Sequence, residues 1–284
     1  MNISFADFWG GGFDPNNNFF VDLLQSISPK YKIVPFSNEH TDVLIYSCFG
    51  DVHRTVDRSK VKKIYYTGEN IRPNFNECDY SLTFDFPDYG GKNIRLPLWL
   101  LQIDWFEKKT YGNPKYIIPI PDLRVSHFHS HPKTGFCCFV FNRPIPNRIE
   151  IVQKLSNYKP VHCWGKLSGN HFDGEYEKCN ILSNFKFNIC FENTDHPGCH
   201  TEKLLHAKVA GCLPLYWASA ECKQDFNTKS FVNLHDFPSM DAFIERIIEL
   251  DQNEEAYNAI TSEYLFEGKE LSLEGLKIQL AKIL

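Results

Sequence analysis

Two stretches of the chain place acids, an amide and a lysine where reaction chemistry can use them. In "FKFNICFENTDHPGCHTEKLLHAKVAGC" (185–212) an apolar run ends in Glu192 and Asn193, a polar loop follows, and Thr201, Glu202 and Lys203 open a helical pattern. A strand end, a loop and a helix N-terminus together present free N–H groups and the positive end of a dipole, which suits a phosphate. Lys203 adds positive charge and Glu202 can hydrogen-bond sugar hydroxyls; alternatively, Glu202 is only an acid favoured in a first helical turn. In "IYYTGENIRP" (64–73) Glu69 follows Gly68 at the carboxyl end of an apolar strand. An acid facing a cleft there is a general-base candidate, and the alternative is a plain turn acid.

A third cluster, "SHFHSHP", carries His127, His129 and His131. On an extended strand this spacing sets all three imidazoles on one side, as Zn²⁺ or Cu²⁺ would require, but no adjacent acid or cysteine completes a site. Solvent-facing imidazoles are the plainer reading. Other templates are missing from the sequence: GxxxxGK[ST], GxSxG, HExxH and GxGxxG do not occur, and no Asp-x-Asp pair exists to hold a metal–diphosphate. A bound nucleotide diphosphate would therefore have to meet Lys, Arg and helix dipoles.

These residues must be positioned by a fold that 284 residues can supply. At 43% hydrophobic the chain affords a sizeable core, and 15% aromatics is a high share. Thirty-five acids against 30 bases give a net charge of −5 with no run of five or more cations, which argues against a nucleic-acid partner. Ten cysteines lie without CxxC pairs, several inside apolar runs, so they read as free thiols of a reducing compartment. No secretory leader and no apolar run near 18 residues is visible, so the expectation is a soluble, cytoplasmic protein without a transmembrane segment.

Apolar runs at 2–9, 32–36, 42–49, 62–69 and 80–86 read as strands, and 19–27 as a helix. A polar, proline-rich stretch at about 107–134 reads as the boundary region. Beyond it, 135–142, 160–165, 185–193, 213–218 and 230–237 read as strands. Residues 146–158, 201–212 (capped by Thr201), 240–260 and the last 14 read as helices, with Ile149, Val152 and Leu155 on the buried face of the first. The alternation predicts an α/β protein of two parallel halves with no internal sequence repeat, its ligands at the carboxyl ends of the strands.

Within 185–219 stand, in order, Phe191-Glu192-Asn193-Thr194, Thr201-Glu202-Lys203 and Leu213-Pro214-Leu215-Tyr216-Trp217. With "DFNTKSFVNLHDF" (225–237), "YYTGENIRPNFNECDYSLTFD" (65–85) and "RLPLW" (95–99), this order resembles the α-1,3-fucosyltransferases of glycosyltransferase family 10, most closely the soluble bacterial members that build Lewis-type glycans. The resemblance implies a GT-B architecture, two Rossmann-like domains facing across a cleft. Residues 1–130 would bind the acceptor, 131–265 would bind GDP-fucose, and 266–284 would form a terminal helix packing back on the first domain. It implies inverting transfer to the 3-hydroxyl of a GlcNAc-containing glycan acceptor, with no cofactor and no obligatory metal. Glu69 would be the catalytic base, and Asn193, Glu202 and Lys203 would hold the donor. Lys166 stands near the position of the family's usual arginine, Arg143 is an alternative cation, Cys199 replaces a frequent tyrosine, and Ala218 ends the Tyr-Trp-Gly pattern. Trp99, Trp105 and Phe106 are sugar-stacking candidates whose plainer role is core packing.

Overall fold

The computed structural model describes residues 1–10, 12–165 and 168–284, and they form two compact units. The first comprises Met1–Ile117 with Leu271–Leu284, and the second is Ile118–Glu270. The division thus falls inside the proline-rich stretch, thirteen residues before the expected limit at 130, and the terminal segment is grouped with the first unit from Leu271. Among the described residues no helix is long and apolar enough to cross a membrane.

The first unit is an open parallel sheet. Its strands are β1 (Asn2–Ala6), β2 (Lys32–Ile33), β3 (Val43–Tyr46), β4 (Lys62–Tyr66), β5 (Tyr80–Thr83) and β6 (Asn93–Arg95), in the order β2-β1-β3-β4-β5-β6. All neighbours are parallel. The strands are shorter than their apolar runs, because residues past each carboxyl end turn away into loops. Alternate side chains serve two cores, as the pleat dictates. Val43, Ile45, Ile64 and Tyr66 face α1 (Phe19–Ile27) and α7 (Glu274–Ile283), while Leu44, Tyr46 and Tyr65 pack with Val56, Val61 and Cys78. Asn18 caps α1, its side chain accepting from the Val21 amide at 3.1 Å. The Lys62 ammonium donates to the Ile283 carbonyl at 2.6 Å and so ties α7 to β4. A short strand β7 (Ile103–Asp104) completes the unit.

The second unit opens with β8 (Ile118–Pro119) and is built on β9 (Gly135–Val140), β10 (Val161–Trp164), β11 (Phe185–Phe191), β12 (Leu213–Trp217) and β13 (Val232–Asn233), ordered β10-β9-β11-β12-β13 and all parallel. One face is covered by α2 (Pro146–Ser156), α5 (Met240–Gln252) and α6 (Glu254–Thr261), which bury Ile151, Leu155, Phe243, Ile247 and Tyr257 against Phe139, Phe187 and Leu215. On the other face, α3 (Gly174–Leu182) and α4 (Lys203–Val209) pack against β11, and α4 also against β12.

Several expectations change here. The single helix expected over 240–260 is two helices, because Asn253 takes β-region dihedrals and caps α6 through the Ala256 amide at 3.0 Å. In α2 the buried face is Arg148, Ile151 and Leu155, with Ile149 and Val152 only half-buried. Helix α3 was not expected, since its polar sequence buries only Cys179 and Leu182. The strand expected over 230–237 shrinks to two residues between 3-10 turns. All ten cysteines are free thiols, eight of them buried.

Gly135 fixes the register of the central pair in the second unit. It lies opposite Phe185, and a Cβ there would sit 2.3 Å from the Phe185 ring. Gly135→Ala is expected to cost about 1–3 kcal/mol through overpacking, measured by urea unfolding. An unchanged midpoint would show that Phe185 swings aside freely.

Candidate functional site

In both units the strand order reverses beside the first strand: the chain runs outward to one side and then returns to the other. Open parallel sheets take ligands in the crevice at such a reversal, which here falls between the carboxyl ends of β1 and β3 and between those of β9 and β11. Glu192 directly follows β11 and is 1% exposed. A carboxylate that deep must be fully hydrogen-bonded. Its Oε1 accepts from the Thr201 amide at 2.8 Å, the Lys203 ammonium reaches Oε2 at 2.7 Å, and the Thr201 hydroxyl lies within 2.9 Å of both oxygens. The Tyr216 hydroxyl approaches from β12 at 3.5 Å. The Lys203 ammonium also donates to the Thr201 hydroxyl oxygen at 2.8 Å. One acid at a strand end thus holds the whole Thr201–Lys203 entry to α4. For this reason Thr201 is not the helix cap: its hydroxyl is spent on Glu192, and Glu202 takes the cap position without a side-chain bond.

Arg148, on α2, is a buried cation at this reversal. It is 1% exposed. Its guanidinium donates to the Phe191 carbonyl at the end of β11 and to the Arg143 carbonyl, just past β9, at 3.2 Å. It therefore spans the two strand ends of the reversal. Its Nε has no partner among the described residues. Lys178, from α3, lies 3.8 Å from Glu202, and Lys203 lies 4.0 Å from it. Burial alone would raise the Glu202 pKa, but Lys203 and Lys178 outweigh it and hold this carboxyl well below the usual range. Burial likewise opposes the charge on Lys203, yet Glu192 and Glu202 hold its pKa above the ordinary value. Three cations (Arg148, Lys178, Lys203) thus stand around two carboxylates (Glu192, Glu202), a surplus of one positive charge that suits an anionic ligand.

Glu69, in the first unit, follows β4 in a tight turn. Buried Thr67 accepts the Glu69 amide at 2.9 Å and donates its hydroxyl to the Glu69 carbonyl at 3.1 Å, and the Ile71 amide donates to the same carbonyl at 2.7 Å. Gly68 suits a close approach: a Cβ there would lie 3.0 Å from a Leu98 methyl, which would have to shift. The backbone at Glu69 is therefore fixed, and its carboxylate, half-buried, makes no side-chain hydrogen bond or ion pair among the described residues. That leaves both oxygens available to a hydroxyl. Nearby, Arg72 pairs with the buried Asp85, lies 4.7 Å over the Phe84 ring and donates to Asn70.

Two family models cover these elements. The N-terminal domain of α-(1,3)-fucosyltransferase FucT matches residues 3–102, and the C-terminal domain of glycosyltransferase family 10 (fucosyltransferase) matches residues 131–263. The chain belongs to glycosyltransferase family 10. It is 31% identical over 281 residues to the α-(1,3)-fucosyltransferase FucT of Helicobacter pylori, covering 90% of this chain but 58% of that protein, so it spans little more than half the relative's length. It is 27% identical over 286 residues to the dog 4-galactosyl-N-acetylglucosaminide 3-α-L-fucosyltransferase 9, covering 86% of this chain and 78% of that one. Among solved structures, an α1,3-fucosyltransferase crystallised with GDP-fucose superposes with a TM-score of 0.76 at 28% identity, covering all of this chain and 90% of the other. The match extends the GT-B-type fold to this family 10 chain.

The family residues are placed as follows. Lys203 and Glu202 lie together beside Glu192, and Asn193 is exposed immediately after it. Lys166 falls outside the described residues. The Arg143 side chain is exposed and contributes its carbonyl, not its charge, to the Arg148 bridge. Cys199 is buried in the loop before Thr201, with the Thr194 hydroxyl 4.0 Å from its sulfur. His127, His129 and His131 do not line one side of a strand. They lie in turns and diverge, His127 to Asp122 at 2.8 Å and His131 to the Ser183 hydroxyl at 2.6 Å. Among the described residues no group of three His, Cys, Asp or Glu side chains is placed to hold a metal ion. Trp99 is buried, Trp105 donates to the Leu100 carbonyl at 2.8 Å, and Phe106 packs on Phe19, so all three serve the core. Arg148 and Lys178 are site residues that the sequence motifs do not single out. Arg148 had a signal, a charged residue three and seven positions before Ile151 and Leu155 on a core-facing stripe.

Glu192→Gln should cost about 2–4 kcal/mol, since it strands the half-buried Lys203 charge. Urea unfolding at pH 7 measures it, and a loss under 1 kcal/mol would refute the keystone role. His206, buried on α4, accepts from Lys178 at 3.0 Å, and burial, then Lys178, push its pKa down to about 3. Between pH 7 and 5 the unfolded chain gains a proton there that the folded chain refuses, so acid destabilises the fold. Wild type should lose about 2 kcal/mol more over that interval than His206→Gln does. Parallel pH profiles for the two proteins would contradict it.

Proposed function

We propose that this chain transfers L-fucose from GDP-β-L-fucose to the 3-hydroxyl of a GlcNAc-containing glycan, of N-acetyllactosamine type, with inversion at the sugar carbon. The observation that carries the reading is the surplus of positive charge at the β9–β11 reversal, Arg148, Lys178 and Lys203 around Glu192 and Glu202, in a chain whose second unit matches the family 10 domain. A relative of like fold was crystallised with GDP-fucose, which supports the same donor here.

In this reading the acceptor hydroxyl attacks C1 of fucose from the face opposite GDP. Glu69 takes the hydroxyl proton as the new C–O bond forms, help worth about 10²–10⁴-fold in rate. Positive charge grows on the fucosyl ring, and Glu202, held ionised by its lysines, steadies it. Negative charge grows on the departing diphosphate; Lys203 meets it, and the buried Arg148 guanidinium adds its positive field from beneath the strand ends, replacing Arg143 as the proposed second cation. Asn193, exposed beside Glu192, is free to bind the donor. Lys166 and Cys199 stay in the proposed donor set from the resemblance. The chemistry requires no metal, because protein cations neutralise the leaving group. The ten free thiols suit a reducing, cytoplasmic setting. The buried position of Cys199 also favours a second reading, in which another GDP-sugar or acceptor is used.

Purified protein should release GDP from GDP-fucose in the presence of N-acetyllactosamine and a chelator. Glu69→Gln should lower kcat at least 10²-fold while the Kd for GDP-fucose stays within threefold. Full turnover by that variant would remove Glu69 as the base, and turnover that depends on added metal would remove the cation assignment.

A further inference from the structure

The reversal in the first unit is furnished differently from that in the second. It carries aromatic rings. Trp9 follows β1 and Phe49 follows β3, the two strands that flank the crevice, and their rings meet edge to face at 6.5 Å. Phe49 is 50% exposed, although the backbone beneath it is rigid. Its amide donates to the Asp7 carbonyl at 3.0 Å. The Asp7 carboxylate takes the amides of Val52 and His53 at 3.0 and 2.9 Å and the His53 imidazole at 2.7 Å, and Glu77 holds the other imidazole nitrogen at 3.3 Å. Trp9 is wedged from behind by Phe13 at 5.5 Å and by Tyr66 at 6.4 Å. Tyr66 ends β4, the strand that delivers Glu69.

We propose that Phe49, backed by Trp9, is a stacking platform for the acceptor's second sugar ring, the hexose linked to the GlcNAc that receives fucose. This rests on the reading of Glu69 as the base. A half-exposed aromatic ring on a fixed backbone costs solvation in the empty protein and little entropy on binding, which suits the apolar C–H face of a sugar. The crevice at a strand-order reversal is where open parallel sheets take ligands. Strand β3 neighbours β4 at the usual spacing of about 5 Å, so the loop bearing Phe49 stands roughly one sugar ring away from the loop bearing Glu69. An acceptor whose hydroxyl sits at Glu69 would then have its adjoining ring within reach of Phe49.

The test compares two acceptors, N-acetyllactosamine and a GlcNAc monosaccharide glycoside, in wild type, Phe49→Ala and Phe49→Trp. For the disaccharide, Phe49→Ala should raise KM about three- to tenfold and Phe49→Trp should restore it, with the KM for GDP-fucose within twofold throughout. The monosaccharide KM should not move. Equal effects on both acceptors, or none, would overturn the platform while leaving the transfer reading intact. If wild type transfers to neither acceptor, the transfer reading fails, and the platform is then judged by titrating N-acetyllactosamine against tryptophan emission. A saturable change lost in both Trp9→Phe and Phe49→Ala upholds it, and no saturable change overturns it.

Discussion

A carboxylate cannot stay charged in a protein interior without partners, and Glu192 is the place where this chain meets that constraint. The strand β11 delivers it into the interior, so something has to satisfy it. The answer is the next helix entry: an amide, a hydroxyl and an ammonium from Thr201 and Lys203 all converge on the same two oxygens. The conformation of the loop over 193–200 follows, since both its ends are fixed on one side chain. So does the direction of Lys203, and through Lys203 the charge state of Glu202. The electrostatics at the entry to α4 are thus set in large part by a residue that is itself sealed from solvent.

The two units share one strand order. Relative to its own first strand, each runs second, first, third, fourth, fifth, with a sixth strand added at the far edge of the first unit, and each sets its candidate residues near the carboxyl ends of its strands. What differs is the furnishing. In the second unit the reversal is bridged by a guanidinium and surrounded by a net positive charge. In the first it is lined by Trp9 and Phe49, with an acid waiting one strand further along. In the proposed reaction a polyanionic leaving group and an uncharged glycan would make these two opposite demands, which the same topology can meet by changing side chains alone.

Much of this was legible in the sequence. Apolar runs gave the position of ten of the thirteen strands, missing the short β6, β7 and β8, and α1 matches its expected residues from Phe19 to Ile27. Glu69 and the Thr201–Lys203 stretch could be found because each follows an apolar run that ends abruptly. The illegible parts depended on distant partners. Nothing local says that Glu192 points inward, or that Thr201 spends its hydroxyl on it and not on capping a helix. Helix α3 lacks an apolar stripe, so Lys178 had no visible scaffold. The common strand order of the two halves is invisible too, because pairing between strands leaves no mark on a repeat search when the residues differ. Phe49 looked like part of a buried run; only the early end of β3 at Tyr46 frees it.

The Arg148 bridge has a consequence for how this family 10 chain can drift. Both of its hydrogen-bond acceptors are main-chain carbonyls, those of Phe191 and Arg143. No substitution removes a carbonyl. The side chains at 143 and 191 are therefore released from any duty to the bridge, and selection on it falls on a single codon, that of residue 148. A link between two strand ends that would ordinarily tie three positions together in evolution here ties down one, which leaves its neighbours open to acquire other roles.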